Sequence, residues 1–135
     1  MELVRGQVAN LIDRRVSHKV SFTSDAVECN NLVVKGFMHA YKEKHHIVIM
    51  QMEDESVLYS CHHLKIEEEM EVTYLSVGLD GVVDVEKLKS SIRPDTGLVS
   101  NSAANDEICV IQLIEEIVPY AKSSRFRFTQ MPLMH

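Results

Sequence analysis

The sequence has no excess of basic residues: 14 Lys and Arg stand against 20 Asp and Glu, a formal net charge of −6. Nucleic-acid binding is therefore not expected, because no basic face is available to release phosphate counterions. No apolar run approaches the ~20 residues that cross a bilayer, so no membrane association is expected. The opening stretch MELVRGQVANLIDRR lacks the apolar core and small-residue cleavage site of an export signal. Cysteine is scarce: Cys29, Cys61 and Cys109 are an odd number, widely spaced, with no C-x-x-C unit. That pattern excludes a disulfide framework and a structural zinc site, and it suits free thiols in a reducing compartment. Adjacent histidines (His45-His46 and His62-His63) point to different faces, and no helical H-x-x-x-H pair exists, so no metal site is expected. Glu67-Glu68-Glu69 reads as the polar end of a helix. Neither a P-loop nor a G-x-S-x-G elbow is present.

What is present is an ordinary globular composition, 45% hydrophobic and 25% charged over 135 residues. That length allows one domain burying roughly two thirds of its unfolded surface. Val4, Val8, Leu11 and Ile12 share one helical face. A strand is expected over 19–23 and a helix over 26–44, where Val33, Val34, Phe37, Met38 and Tyr41 repeat at helical spacing. Ile47-Val48-Ile49-Met50 predicts a strand over 46–51 buried on both faces. A helix over 56–69 follows, carrying Val57, Leu58, Cys61 and Leu64, and then a strand over 72–77. Asp80-Gly81 is a turn signal, and Asp84 is placed to cap a short helix over 85–92. A strand over 98–100, a helix over 111–121 and a strand over 125–129 complete the pattern. Pro119 falls inside that last helix, where a proline costs ~3 kcal/mol, so a break is expected at Val118–Pro119. The alternation predicts an α/β fold, a mostly parallel sheet with helices on both faces. Such sheets bind ligands beyond the carboxyl ends of their strands.

Two blocks carry a resemblance. The first is Phe22-Thr23-Ser24-Asp25-Ala26-Val27-Glu28-Cys29-Asn30-Asn31; the second runs DGVVDVEKLKSSIRPDTGLVSNSAANDEICVIQLIEEI over 80–117. Together they resemble the cysteine desulfurases, pyridoxal-phosphate (PLP) enzymes of the class-V aminotransferase-like group that take sulfur from L-cysteine for iron–sulfur cluster assembly. Their corresponding patterns are FTSGATESNN and DG-VD---L---I-PDT-LVS---VNNEIGV-QPI-EI. The resemblance implies that 1–128 is part of the large cofactor domain of a fold-type I PLP transferase.

Residue by residue, the resemblance places the cofactor phosphate at the turn 24–27. Ala26 keeps the family's small residue there, whereas Asp25 replaces a glycine and Val27 a threonine that supplies a hydroxyl. Asp25 and Glu28 also have the D-x-x-E spacing of a capping box, which needs no phosphate. Asn105 matches the asparagine that bonds the cofactor ring oxygen. The family's ring-stacking histidine corresponds to Asp54, in Gln51-Met52-Glu53-Asp54-Glu55-Ser56-Val57-Leu58. An aspartate neither stacks nor titrates near neutrality, and it is expected to cap the helix beginning near Ser56. Cys109 stands at a family glycine, is expected to strain its turn if φ is positive, and is read as a partly buried, inert thiol. Ala26 and Asn105 are thus the retained cofactor-binding positions, and no catalytic residue is assigned.

The resemblance extends over residues 6–128, a minority of a family member, and no lysine matches the Schiff-base position. Residues 129–135 form a divergent tail. Back-translating the family's Phe-His-Thr-Asp-Ala-Ala-Gln and deleting one C yields Phe-Thr-Gln-Met-Pro-Leu, so a frameshift after Phe128 is expected and the coding DNA tests it. The expectation is a cysteine desulfurase-like chain that is inactive alone and does not hold PLP. The alternatives are a non-catalytic interaction module pairing with a full-length desulfurase or forming a homo-oligomer, and a degenerate product without function. The expected compartment is the cytoplasm, with a mitochondrial location left open by the resemblance.

Overall fold

The computed structural model describes residues 2–11, 20–105, 109–123 and 127–129. In chain order the elements are α1 (Glu2–Leu11), α2 (Ala26–Ala40), β1 (His46–Met50), α3 (Glu55–Glu67), β2 (Glu71–Leu75), α4 (Val85–Ser91), β3 (Thr96–Ser100), β4 (Ala104–Asn105), β5 (Val110–Ile111), α5 (Ile114–Ser123) and β6 (Arg127–Thr129). Strands β2, β1, β3 and β6 lie side by side in that order, every pair parallel. The expected mixed fold, with a parallel sheet covered on both faces, is the observed one.

β1 is the middle of the core. All five of its residues are buried, and their alternation sends Ile47 and Ile49 to one face and Val48 and Met50 to the other. On the first face they meet Val34 and Met38 of α2 and Val57, Cys61 and Leu64 of α3. On the second they meet Leu88 of α4 and Ile117 of α5. Each fully buried aliphatic side chain contributes ~1.5–3 kcal/mol of transfer free energy. Gly97 on β3 permits the close approach of α2: a Cβ there would lie 2.8 Å from Lys44 Cβ and 3.0 Å from Met38 Sδ.

Local chemistry sets most boundaries. α2 stops at Ala40, four residues before its expected end, because Tyr41 leaves helical geometry (φ −118°, ψ 68°) while its N–H still reaches Phe37 O. α3 closes with Glu69 at φ 55° and the Met70 N–H bonded back to Leu64 O, a left-handed helix end whose return bond satisfies one of the last carbonyls. Asp84 caps α4 as expected, accepting from the Glu86 and Lys87 N–H groups at 3.0 and 3.2 Å. The Asp80-Gly81 turn also forms, with Gly81 at φ 75°. Val77, expected within β2, instead bridges Val83 across this turn.

Two expectations fail, and one pair of strands was not anticipated. Residues 20–23 are not a strand; Lys19 lies outside the described residues. A β-prone run becomes a strand only where a neighbour completes its ladder, and none of the described strands lies alongside this one. α5 does not break at Val118–Pro119 but runs to Ser123. Packing holds both sides of the proline: Ile117 is fully buried in the core, and Tyr120 lies under the Lys89 ammonium, 4.5 Å from ring centroid to Nζ. The antiparallel β4–β5 pair, with Ala104 opposite Ile111 and Asn105 opposite Val110, has no counterpart among the expected elements, and it takes Ile111 from the helix expected over 111–121, which begins instead at Ile114. Each strand is only two residues long, too short for a periodicity to register.

Candidate functional site

The carboxyl ends of β1 and β3 and the amino ends of α2 and α3 converge on one polar region. This is the end of a parallel sheet at which ligands are bound. The turn before α2 is closed by the chain's own carboxylates. Asp25, in extended geometry, is the N-cap and accepts the Glu28 N–H at 2.8 Å. Glu28 reaches back to Ser24, accepting its N–H at 2.6 Å and its hydroxyl at 2.7 Å. The expected capping box is therefore present with a one-residue offset, since Glu28 satisfies the residue before the cap rather than the cap itself. The Ser24 N–H and hydroxyl hold the Glu28 carboxyl below the ordinary carboxylate range, which keeps its negative charge at the positive end of α2.

Asp54 is the N-cap of α3, as expected. Its Oδ1 accepts the Ser56 N–H at 2.8 Å and also the Ser56 hydroxyl. Asn30, buried on α2, donates its Nδ2 to Ser56 Oγ at 2.6 Å. The chain Asn30–Ser56–Asp54 thus ties the first turn of α3 to α2, and the Asp54 carboxylate is spent on backbone and hydroxyl donors.

Glu53 has a larger structural part than its sequence position suggested. It is 6% exposed and accepts from the Ser102 N–H, from the Ser102 hydroxyl at 3.1 Å and from the Ser100 hydroxyl at 3.4 Å. Burial pushes its carboxyl up, against the opposing effect of these donors. The residue joins the exit of β1 to the exit of β3 across 49 positions of sequence. A glutamate between a buried strand and a capping aspartate was the only signal, and by itself it reads as a second surface acid. Asn101 is 1% exposed, and its Nδ2 has no hydrogen-bond partner among the described residues. Such an orphaned amide costs ~1–3 kcal/mol.

Of the two positions expected to touch a cofactor, Ala26 is the exposed first residue of α2, and Asn105 lies on β4 with its Nδ2 donating to Met52 O at 2.9 Å. Asn105 thus borders the segment 51–56 through Met52, and Ala26 lies one turn before Asn30, whose side chain bonds Ser56. Cys109 takes a positive φ of 54°, the strained geometry anticipated where a glycine was replaced. It is exposed rather than partly buried, because it sits where the chain reverses between β4 and β5. Cys61 is the buried thiol, pushed up to about 12 by burial among apolar neighbours. Among the described residues, no group of three or more His, Cys, Asp or Glu is arranged to hold a metal ion, and no helix is long and apolar enough to cross a membrane.

These features fit poorly with the PLP that the resemblance implies. The helix N–H groups at a phosphate turn must be free, and here Asp25 takes the one on Glu28. Val27 offers no hydroxyl, and Asp54 cannot stack on a ring.

The fold and the order of its elements are those of a class-V aminotransferase. The family model described as Aminotransferase class-V matches residues 1–129, and the chain belongs to that family. Within it the chain is cysteine desulfurase-like. It is 49% identical over 129 residues to the mitochondrial cysteine desulfurase of Arabidopsis thaliana, covering 95% of this chain and 28% of that one. It is 41% identical to cysteine desulfurase IscS of Haemophilus influenzae, covering 95% and 31%. Among solved structures, a NifS-like protein superposes with a TM-score of 0.90 at 28% identity, over 99% of this chain and 37% of the other. DndA from Streptomyces lividans superposes with a TM-score of 0.86 at 28% identity, over 97% and 37%. The chain therefore spans about three tenths of the length of these sequence relatives.

Proposed function

We propose that this chain retains the scaffold of the PLP domain of a cysteine desulfurase, the family's enzyme for PLP-dependent sulfur transfer from L-cysteine, without its ability to hold the cofactor. Residues 1–128 form the inherited portion of that domain and 129–135 a divergent tail, of which Thr129 alone lies in the described residues. The observation that carries the reading is the turn 24–28, where Asp25, standing at the family's glycine, takes the Glu28 N–H that an incoming phosphate needs. Asp54 supports it, because its carboxylate is committed to capping α3. The family activity needs the phosphate turn, the ring contacts and the Schiff-base lysine acting together. In this reading the chain by itself performs no desulfuration, and Ala26 and Asn105 persist as family positions without a cofactor between them. The cytoplasm is its expected compartment, with the mitochondrion the alternative.

The test is direct. Purified protein is mixed with PLP and L-cysteine, and aldimine absorbance and sulfide release are followed. After desalting to remove free PLP, a protein without a bound aldimine band is expected, with no sulfide above the PLP-only background in the reaction mixture; a protein that stays yellow after desalting and releases sulfide overturns the proposal. A second reading, an interaction module that pairs with a full-length desulfurase or with itself, is favoured by the ends of the four-stranded sheet: neither β2 nor β6 has a second neighbour among the described strands. Co-purification with a full-length relative, against a degenerate product that binds nothing, separates those outcomes.

A further inference from the structure

β2 forms one end of the sheet, with β1 on its inner side and no described strand on its outer side. Its inward backbone groups are identified by two bonds, the Glu71 N–H to His45 O and the Gln51 N–H to Leu75 O. Along a strand, successive residues direct their N–H and C=O to opposite sides. Val72 and Tyr74 therefore direct theirs outward, two donors and two acceptors on an open edge. A groove of about 510 Å³ lies beside that edge, lined by Gln51, Glu55, Leu58, Tyr59, His62 and Tyr74. Four of these, at 55, 58, 59 and 62, recur at the spacing that places them on one face of α3. Tyr59 is 70% exposed and Ile66, two turns further along, 60%.

The chemistry of the lining selects its occupant. Tyr59 and Tyr74 offer aromatic faces, and Glu55 is an exposed carboxylate that makes no ion pair among the described residues. The Tyr74 ring is already covered by Lys65 Nζ, 5.7 Å from its centroid, which leaves Tyr59 as the open aromatic face beside Glu55. The whole chain carries a net charge of −6. A groove with two tyrosines and one carboxylate, beside a strand edge with no neighbour among the described strands, suits addition of an extended segment carrying a cation, in which backbone bonds give affinity and a side-chain pocket gives selectivity.

We propose that β2 and this groove form a docking surface for an extended basic segment of a partner protein. The segment adds a strand along Val72–Tyr74 and places a lysine or arginine side chain against Glu55 and Tyr59. The surface does not depend on whether the turn at 24–28 accepts a phosphate, so the two proposals stand or fall separately.

The experiment titrates an acetylated, amidated alternating Arg-Val octapeptide into the full chain labelled with nitrogen-15, with the Glu-Val octapeptide as counterpart. The expected result is slowed hydrogen exchange at the Val72 and Tyr74 amides, with shifts at Tyr59 and His62, for the Arg-Val peptide alone. Glu55→Lys is expected to weaken this binding by about tenfold, the scale of reversing one contacting charge. Tyr59→Ala, at a largely exposed position, is expected to weaken it while preserving the amide spectrum of the fold. Equal binding of both peptides, shifts confined to other surfaces, or no protection at Val72 and Tyr74 overturns the proposal. Concentration-dependent protection of this edge without peptide also overturns it, since a second copy would then be the occupant.

Discussion

Replacing Asp25 by glycine and Val27 by threonine restores the family's phosphate turn, and the structure sets the size of the expected effect. Asp25→Gly frees the Glu28 N–H and removes a carboxylate from beside the anion. At ~4 Å that repulsion amounts to about 1 kcal/mol per charge in water and about 4 near a protein surface. Val27→Thr adds a hydroxyl donor worth ~1 kcal/mol. Together these predict inorganic phosphate binding at least about thirtyfold tighter than in the native chain. The loss of the cap costs little, since glycine at that position is only a few tenths of a kcal/mol worse than aspartate. The assay is phosphate titration followed by the amide signals of residues 24–29, with chloride at equal ionic strength as control. Asp25→Asn separates the two contributions, because it keeps a capping oxygen and removes the charge. If the native chain binds phosphate as tightly as the double variant, the argument from occupied donors is wrong.

Other consequences follow from groups buried in the same sheet. His46 is 1% exposed, with Nδ1 2.7 Å from Thr96 Oγ1 and Nε2 2.8 Å from Thr73 Oγ1. Burial first, then the Arg93 charge, lowers its pKa, against the opposing charges of Asp95 and Glu71. The folded state thus takes up this proton less readily than the unfolded one. Its contribution is complete above the unfolded value near 6.5 and falls as pH drops from there through the depressed folded value. Urea unfolding between pH 8 and pH 5 checks this, and His46→Gln is expected to remove that part of the slope. Asn101→Val deletes an orphaned amide and is expected to raise stability by ~1–3 kcal/mol in denaturant unfolding; a loss would show that the amide has a partner. Gly97→Ala drives a methyl group against Lys44 Cβ and Met38 Sδ and is expected to cost ~1–3 kcal/mol by the same measurement.

Much of the site was legible because its causes are local. The caps at Asp25, Asp54 and Asp84 involve donors two or three residues away, and sequence spacing alone identified all three. The positive φ of Cys109 followed from its standing at a family glycine. The Glu53 clamp was not legible, because nothing near residue 53 announces that Ser100 and Ser102 will arrive beside it. Asn30 was noted as a retained position, but its bond to Ser56 required two helices to be packed side by side.

The sequence by itself determined the alternation of elements, the two-sided burial of His46–Met50 and the capping of three helices, since each depends on periodicity or on neighbours within a few residues. Only the tertiary structure decided that residues 20–23 stay out of the sheet, that α5 continues through Pro119, and that His46 joins two threonines 27 and 50 positions away. Those outcomes depend on which segments meet: a ladder needs a neighbouring strand, and a strained helix or a buried imidazole persists only where surrounding contacts outweigh its cost.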